Sequence, residues 1–297
     1  MPDVALILGG DSGLGRQTKL SFLAAGFDVW VTSRRPDHMN QEKTLLLDFA
    51  DEATPKEVRR LNPKVVVFNA AMTNQGKCRM QPELAKQINV LSVVRMAEEF
   101  ISRGSKVIFI SSSAVFDGSI PNTPANKPAT ASSVYGLHKS EAELGLQAIS
   151  TDICIVRFSK LSHSLEPLLG KWAYSLANGD VITPFSDAFV APIRTRLAAE
   201  CVTHAVTHNL MGVVQLSAVK DISYSQLAMS FAKFFGFRRN LVVPTASART
   251  KITPFPRHTT LDSSGFVNCN ISRPEPLECL RDFRELVQAA LATPSIN

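Results

Sequence analysis

A short apolar run leads directly into a glycine-rich loop near the start of the chain. Residues 9–15 read GGDSGLG and follow Val4–Leu8, which contains only apolar side chains. A strand, a glycine loop and a helix in this order let a phosphate group approach the free N–H groups at the helix N-terminus. The spacing is G-x-x-x-G-x-G rather than the commoner G-x-G-x-x-G. The alternative interpretation is an ordinary tight turn between a strand and a helix.

Apolar runs and helical patterns alternate along the first half of the chain. Continuous apolar runs are typical of strands that are buried on both faces. Strands that alternate with helices predict an α/β fold with a Rossmann-type, doubly wound parallel sheet. The predicted strands are Val4–Leu8, Val29–Thr32, Thr44–Leu47, Lys64–Phe68, Val107–Ile110 and Ile153–Phe158, and the predicted helices are 14–25, 52–61, 82–102 and 132–149.

The second half is less regular and predicts a smaller lobe. Its helical patterns cover 165–178, 194–208, 224–236 and 277–292, with a strand at Gly212–Leu216. We expect a dinucleotide-binding domain over 1–160 and a substrate lobe over 161–297, with some segments of the lobe returning to the main sheet. The lobe would cover the carboxyl edge of the sheet, where open α/β proteins bind their ligands.

Composition excludes several classes of protein. The 297 residues include 32 Lys and Arg against 26 Asp and Glu, a net charge of +6, but the basic residues cluster only in pairs. A nucleic-acid-binding protein would show a basic patch or stripe, so we expect no nucleic-acid partner. No run approaches the roughly 18 apolar residues of a membrane span, and the first residues lack the basic region of a secretion signal.

The cysteines point to a reducing compartment. All five lack a CxxC partner, and their number is odd. Such a set predicts reduced thiols in a cytoplasmic protein, with neither a disulfide framework nor a zinc site.

The ends of the second, third and fourth strands indicate which dinucleotide the loop would hold. Ser33-Arg34-Arg35 ends the second strand where enzymes that use NAD carry an acidic residue. Arginines and a hydroxyl would hold a 2′-phosphate, so NADP(H) is favoured while NAD(H) remains an option. The alternative is a solvated pair of charges. The predicted cofactor contacts are Gly9, Gly10, Ser12, Gly13, Leu14, Gly15, Ser33, Arg34, Arg35, Asp48, Phe49, Asn69, Ala70 and Ala71.

Tyr135 and Lys139 form the most specific motif of the chain. At positions i and i+4 of a helix they share one face, so both can point into the same cleft. A neighbouring ammonium group stabilises a phenolate and so lowers the pKa of the tyrosine toward neutrality. Tyr135 would then donate a proton to a carbonyl oxygen while a hydride reaches the carbon. The serines that end the fifth strand, Ser111-Ser112-Ser113, would hold that same oxygen.

Taken together, these motifs resemble an extended short-chain dehydrogenase/reductase. The resemblance rests on the glycine loop, Asn69-Ala70-Ala71, Ile88-Asn89-Val90, the serine run and the Tyr135/Lys139 pair. Ser111–Gly118 and Val134–Glu141 resemble the dTDP-4-dehydrorhamnose reductase family within that group. Looser matches extend to Arg157, Ser186-Asp187, Ala191-Pro192 and Thr260-Leu261-Asp262.

The resemblance implies a catalytic triad of Ser112, Tyr135 and Lys139. Ser112 is selected by counting back four residues from Phe116, and Ser111 and Ser113 stay open as alternatives. The resemblance also implies that Lys139 holds the nicotinamide ribose. Asn89 would support a water-linked proton path, or would simply lie on a helix face.

One departure leaves the substrate open. Ser112-Ser113-Ala114 stands where the reductases usually have Thr-Asp-Tyr beside the sugar. The expected activity is therefore NADPH-dependent reduction of a keto group on a nucleotide-activated sugar, without a named sugar. No acidic set that would hold Mg²⁺ is found, so no metal is predicted. By resemblance, a homodimer is expected.

Two rival functions share the predicted fold. A regulatory or redox-sensing protein would bind NADP without catalysis, and the altered serine segment favours it. An epimerase or dehydratase would hold NAD⁺ tightly, which Arg34 and Arg35 disfavour. Two clusters are predicted to be structural rather than functional: the pair His204 and His208, and the phenylalanines Phe231, Phe234, Phe235 and Phe237.

Overall fold

The computed structural model describes residues 1–40, 42–247, 256–269 and 271–292. Its strands are β1 (Val4–Leu8), β2 (Asp28–Ser33), β3 (Thr44–Leu46), β4 (Val65–Phe68), β5 (Lys106–Ser112), β6 (Cys154–Phe158), β7 (Phe189–Val190), β8 (Gly212–Leu216) and β9 (Ile222–Ser223). Its α-helices are α1 (Gly13–Ala24), α2 (Lys56–Arg60), α3 (Gln75–Met80), α4 (Pro82–Lys86), α5 (Ser92–Ile101), α6 (Val134–Ile149), α7 (Glu166–Ala177), α8 (Thr195–Thr207), α9 (Tyr224–Phe235) and α10 (Arg284–Ala292).

The main sheet has seven strands in the order β3-β2-β1-β4-β5-β6-β8, and all of its pairings are parallel. The predicted Rossmann-type parallel sheet is therefore confirmed. The strand order reverses between β1 and β4, so the connections that follow these two strands leave on opposite faces. Such a switch point opens a crevice at the carboxyl ends of the strands, which is where ligands bind in this class of fold.

Both faces of the sheet are buried, as the continuous apolar strands predict. Along β1, Ala5 and Ile7 pack on the side of α1 and α8, whereas Leu6 and Leu8 pack on the side of α5 and α6. Side chains alternate along a strand, so an all-apolar strand supplies two cores at once. The sheet is therefore packed on both faces, and these two cores hold the strands whose carboxyl ends form the edge at the crevice.

The smaller lobe has a core of its own. Helices α7, α9 and α10 enclose Trp172, Phe231 and Phe283, and the short antiparallel pair of β7 and β9 lies beside them. Phe231 is fully buried there, whereas Phe234 is 44% exposed and lies under the guanidinium of Arg284. The predicted helix 277–292 divides into a 3-10 helix over Pro276–Phe283 and the α-helix α10.

Residues 195–216 return from the lobe to the main sheet. Strand β8 pairs in parallel with β6, and α8 packs against α1. The predicted division at residue 160 allowed for such returning segments, and it remains a prediction. No described helix is long and apolar enough to cross a lipid bilayer.

The predicted helix 82–102 contains a π-helical turn over Gln87–Leu91, between α4 and α5. Helix α3, which the sequence analysis did not predict, is capped by Asn74, whose side chain accepts a hydrogen bond from the Lys77 amide. A short capped helix of this kind gives too few residues for a periodic pattern, which is why it was missed.

Candidate functional site

The glycine loop is packed so closely that side chains would not fit. Gly9 has a φ of +88°, and a Cβ placed on it would lie 2.8 Å from the Cα of Ala70. A Cβ on Gly15 would lie 2.4 Å from the carbonyl oxygen of Gly9. Ser12 ends the loop as the N-cap of α1, where its hydroxyl accepts a 2.9 Å hydrogen bond from the Gly15 amide. The loop thus brings the N-terminus of a 12-residue helix to the switch point.

Asn69, at the end of β4, is tied to this loop. Its side-chain amide donates to the carbonyl of Gly9 at 2.9 Å and to the Ser12 hydroxyl at 2.6 Å. Asn69 and Ala70 therefore shape the loop from the neighbouring strand. These contacts place both residues at the switch point, beside the predicted cofactor site.

The predicted contacts at the ends of β2 and β3 have different surroundings. The Ser33 hydroxyl is buried and donates to the Asp11 carboxylate, whereas Arg35 is exposed and its Nε lies 3.8 Å from that carboxylate. Arg34 and Asp48 line a separate cavity of about 410 Å³. Phe49 is 4% exposed and packs into the core under α5.

The triad residues meet at the carboxyl end of β5. Ser112 is the last residue of β5, and its hydroxyl lies beside the phenol of Tyr135 in the first turn of α6, where it opposes the rise in the pKa of that phenol. A Cβ on Gly136 would lie 2.0 Å from the carbonyl oxygen of Ala114, so glycine lets α6 approach the serine segment. This close packing brings the phenol to the end of the strand.

The neighbouring serine has a different partner. The Ser111 hydroxyl is buried and donates to Oε1 of Glu143 at 2.5 Å. Successive residues of a strand point to opposite faces, so Ser111 and Ser112 cannot both face Tyr135. This geometry supports Ser112 as the serine of the predicted triad.

Lys139 lies one turn after Tyr135 and is only 3% exposed. Its Nζ donates to the Ile110 carbonyl at 2.7 Å and lies 4.3 Å from the centroid of the Phe109 ring. Burial lowers the pKa of Lys139 to about 7, against the opposing charge of Glu143. Lys139 is therefore balanced between its charged and neutral forms near neutral pH.

The pKa of Tyr135 is raised, whereas the sequence analysis expected the neighbouring lysine to lower it toward neutrality. Burial raises it above its ordinary value, the Cys78 thiol adds to that rise, and the hydrogen bond with Ser112 opposes it. The phenol is thus fully protonated at neutral pH and is a proton donor rather than a base. This state suits the reduction of a carbonyl group, which needs an acid.

Glu143 and Arg157 form a buried ion pair that the sequence analysis did not identify. Arg157 Nη2 donates to Oε2 of Glu143 at 2.6 Å, and its Nε lies 3.0 Å from Oε1. The other arm of Arg157 donates to the carbonyl of Ala125 at 3.0 Å, in the loop between β5 and α6. The pair joins α6 to β6, and the local sequence of α6 carries no signal that distinguishes Glu143 from its neighbours.

Asn89, in the π-helical turn, is fully buried. Its side-chain oxygen accepts from the Met72 amide at 2.8 Å, and its side-chain nitrogen donates to the Met72 carbonyl at 3.1 Å. These bonds fix the segment that follows β4. A π-helical turn is often found at functional sites, and the proton path predicted for Asn89 stays a prediction.

His163 packs on the glycine loop and was also missed. A Cβ on Gly13 would lie 2.5 Å from the His163 ring. Burial lowers the pKa of His163 to about 4, and the nearby cations of Lys160 and Arg16 add to this shift. His163 is therefore uncharged at neutral pH where it packs against the glycine loop.

A cavity of about 640 Å³ lies where the lobe faces the long loop after β5. Asp221 forms its floor and accepts hydrogen bonds from Thr259 and Thr260. The cavity contains parts of the looser motifs named above, because Ser186, Asp187 and Thr260 all line it. These parts of the looser motifs therefore lie together around one cavity.

The match to known families agrees with this geometry. The sequence model of the RmlD substrate binding domain matches residues 4–292. The chain belongs to the RmlD substrate binding domain family. Within the described ranges, no group of three His, Cys, Asp or Glu residues is arranged to hold a metal ion. His204 and His208 stack on each other, with ring centroids 5.0 Å apart.

Two curated relatives of this family member carry different names. The dTDP-4-dehydrorhamnose reductase of Salmonella typhimurium is 32% identical over 165 residues, which cover 54% of each protein. The chain thus spans about half the length of this relative. Methionine adenosyltransferase 2 subunit beta of Xenopus tropicalis is 23% identical over 282 residues, which cover 92% of this chain and 84% of the relative.

The fold is shared with solved structures. The dTDP-4-dehydrorhamnose reductase from Bacillus anthracis, solved in complex with NADP, aligns with a TM-score of 0.80. The alignment covers 95% of this chain and 98% of that one, at 19% identity. This likeness extends over the sheet and the lobe together.

Proposed function

We propose that the protein is an NADPH-dependent reductase of a keto group on a nucleotide-activated sugar. The observation that carries this proposal is the contact of Ser112 with Tyr135 at the end of β5, with Lys139 one turn further along α6. The strands β1, β4 and β5 are neighbours and run parallel, so their carboxyl ends lie at one edge of the sheet. The switch point between β1 and β4 therefore lies at the same edge as the end of β5. A dinucleotide held by the glycine loop would therefore lie beside the triad.

The crevice fits a dinucleotide. The first amides of a helix have no partner within it, and the glycine loop would present to a phosphate group those of α1 that Ser12 does not cap. The positive end of the helix dipole favours the same anion. Ser33, Arg34 and Arg35 would contact the adenosine ribose and its phosphate, and Lys139 the nicotinamide ribose.

Each triad residue then has a separate task. When bound, NADPH supplies the hydride. Tyr135 donates its phenolic proton to the keto oxygen, and the Ser112 hydroxyl donates a hydrogen bond that holds that oxygen in place. In its ammonium form Lys139 stabilises the phenolate that Tyr135 leaves behind.

Family membership and the cavity support the substrate class. The name of the Salmonella relative describes a reductase of a dTDP-linked keto sugar. The cavity of about 640 Å³ is within the usual size range of small-molecule sites. Ser113 and Ala114 are smaller than the residues usual in those reductases, so the sugar itself is left open.

The test is the oxidation of NADPH with a panel of dTDP-, GDP- and UDP-linked 4-keto sugars. We expect turnover with at least one of them, and loss of turnover in Tyr135→Phe without loss of NADPH binding. Tyr174→Phe is a matched control, because it is the same substitution at a tyrosine that is 46% exposed. Binding of NADPH without turnover of any sugar would contradict the proposal.

A regulatory protein that binds NADP is the second candidate. It is supported by the Xenopus relative, which is named as a subunit of an adenosyltransferase and aligns over 92% of this chain. In that case Tyr135→Phe would leave the binding of a partner enzyme unchanged. Pull-down of the wild type and this variant from the same extract separates the two candidates.

The homodimer and the cytoplasmic location stay predictions. Leu137 and Leu144 lie seven residues apart on α6 and are 52% and 68% exposed. This exposed apolar face of α6 supports a contact with a second copy of the chain. Light scattering of the wild type and of Leu144→Glu tests it, because the charge would dissociate such a dimer.

A further inference from the structure

Asp11 places a carboxylate at the end of β2, although it belongs to the glycine loop. Its Oδ2 lies 3.2 Å from the Ser33 hydroxyl, 3.8 Å from Arg35 Nε and 4.0 Å from His38 Nδ1. The side chain is 24% exposed, so a ligand can reach it. The sequence analysis gave Ser33 and Arg35 to the cofactor and left Asp11 without a role.

A carboxylate at the end of β2 has opposite effects on the binding of the two dinucleotides. In dinucleotide folds, an acidic residue at the end of β2 accepts a hydrogen bond from the ribose 2′-hydroxyl of NADH. It also repels the 2′-phosphate of NADPH, which arginines attract. Here the strand itself ends in arginines, and the carboxylate reaches the site from the loop between β1 and α1.

The contacts of Asp11 leave one oxygen for a ligand. The contacts to Ser33, Arg35 and His38 all involve Oδ2, and within the described ranges Oδ1 has no hydrogen bond or ion pair. This carboxylate lies 3.8 Å from Arg35 Nε and so partly neutralises the charge of Arg35. Arg34 is free of that contact and lines the neighbouring cavity.

We propose that Asp11 sets the balance between NADH and NADPH, by accepting the ribose 2′-hydroxyl of the first and opposing the 2′-phosphate of the second. This inference rests on the proposed function only in assuming that a dinucleotide binds at the glycine loop. It makes the chain a protein that binds both dinucleotides, with Arg34 and Arg35 favouring one and Asp11 the other.

The test is titration of the full-length protein with NADPH and with NADH, followed by fluorescence, without any sugar. Asp11→Asn removes the charge and keeps an oxygen that can accept from Ser33. We expect the ratio of the NADH Kd to the NADPH Kd to rise by roughly 5–10-fold, as a partly exposed charge at this range implies. Arg35→Gln should lower the same ratio.

Asp37→Asn is the matched control. Asp37 is 79% exposed and touches the cluster only through His38, at 4.0 Å. It loses the same charge but should change the ratio by less than about twofold, because exposed charges are screened. The ratio compares two ligands on one protein, so a general loss of stability cancels.

An unchanged ratio in Asp11→Asn, or an equal shift in Asp37→Asn, overturns the inference, and so does the absence of dinucleotide binding. Failure of the proposed function looks different. In that case both dinucleotides bind with the predicted ratios, but no keto sugar is reduced.

Discussion

Two buried charges lie one turn apart on α6 and have contrasting surroundings. Glu143 and Lys139 are each 3% exposed. Glu143 is enclosed by hydrogen bonds from Ser111 and from Arg157. Lys139 has one carbonyl and the face of one aromatic ring, although an ammonium group has three N–H donors.

The difference distinguishes a buried charge that the protein itself pairs from one that the proposed function assigns to a ligand. A buried charge is tolerated when it is paired and hydrogen-bonded, which is the state of Glu143. Lys139 is not paired in this way, and burial lowers its pKa to about 7 although the charge of Glu143 opposes that shift. In the proposed function, a bound dinucleotide would accept from the N–H donors of Lys139 that Ile110 does not use.

The largest effect on stability is expected from breaking the ion pair of Glu143 and Arg157. Glu143→Ala leaves Arg157 as an unpaired buried cation and should lower the free energy of unfolding by about 3–5 kcal/mol, as measured by urea denaturation. Replacing Glu143 and Arg157 together by Met should recover most of that loss. A single-variant loss below about 1 kcal/mol would show that the pair does not stabilise the fold.

The next effect concerns the proton donor beside Lys139. Tyr135→Phe should lower kcat by about 10²–10³-fold, because it removes the general acid. The Kd for NADPH should stay within about twofold, since the phenol is assigned to the substrate side. A kcat close to that of the wild type in stopped-flow assays would remove Tyr135 from the mechanism.

Lys139→Met should have opposite effects on activity and stability. It should abolish turnover but raise the free energy of unfolding at pH 7 by about 1–2 kcal/mol, because it removes an incompletely paired buried charge. A decrease in stability would mean that the bond to Ile110 outweighs the cost of burial.

The pH dependence supplies a second readout for Lys139. Its pKa is about 7 in the folded protein, below its ordinary value of 10.5. Between these two values the unfolded chain holds a proton that the folded chain lacks, so the wild type gains stability as pH rises. The advantage of Lys139→Met should therefore shrink by about 1 kcal/mol per pH unit between pH 7 and 9.

The smallest effects are expected from the two adjacent serines. Ser111→Ala should cost about 1 kcal/mol of stability and leave kcat nearly unchanged, because its partner is Glu143. Ser112→Ala should keep stability and lower kcat about tenfold, because its partner is Tyr135. If Ser111→Ala lowered kcat and Ser112→Ala instead lowered stability, the catalytic role would belong to Ser111.

The sequence was sufficient for the sheet and the motifs. Continuous apolar runs define strands such as β1 and β4 locally, and the i, i+4 spacing alone places Tyr135 and Lys139 on one face. These features depend on residues close together in the chain, which a pattern can capture.

The contacts that complete the site depend on pairing between distant segments. Ser111 and Arg157 are register partners on β5 and β6, so they stand side by side under Glu143. Nothing in the local sequence of α6 distinguishes Glu143 from Glu141, which forms a surface ion pair with Lys86. Asp11 was missed for the same reason, because its partners lie on β2 and after it.

The return of residues 195–216 to the main sheet has a consequence for fragments of the chain. A fragment that ends at residue 160 would leave β6 as an edge strand with bare amide and carbonyl groups. Its all-buried strand Cys154–Phe158 would then be a template for aggregation. A truncated protein meant to bind a dinucleotide must therefore keep α8 and β8, and with them the lobe segment that leads to them.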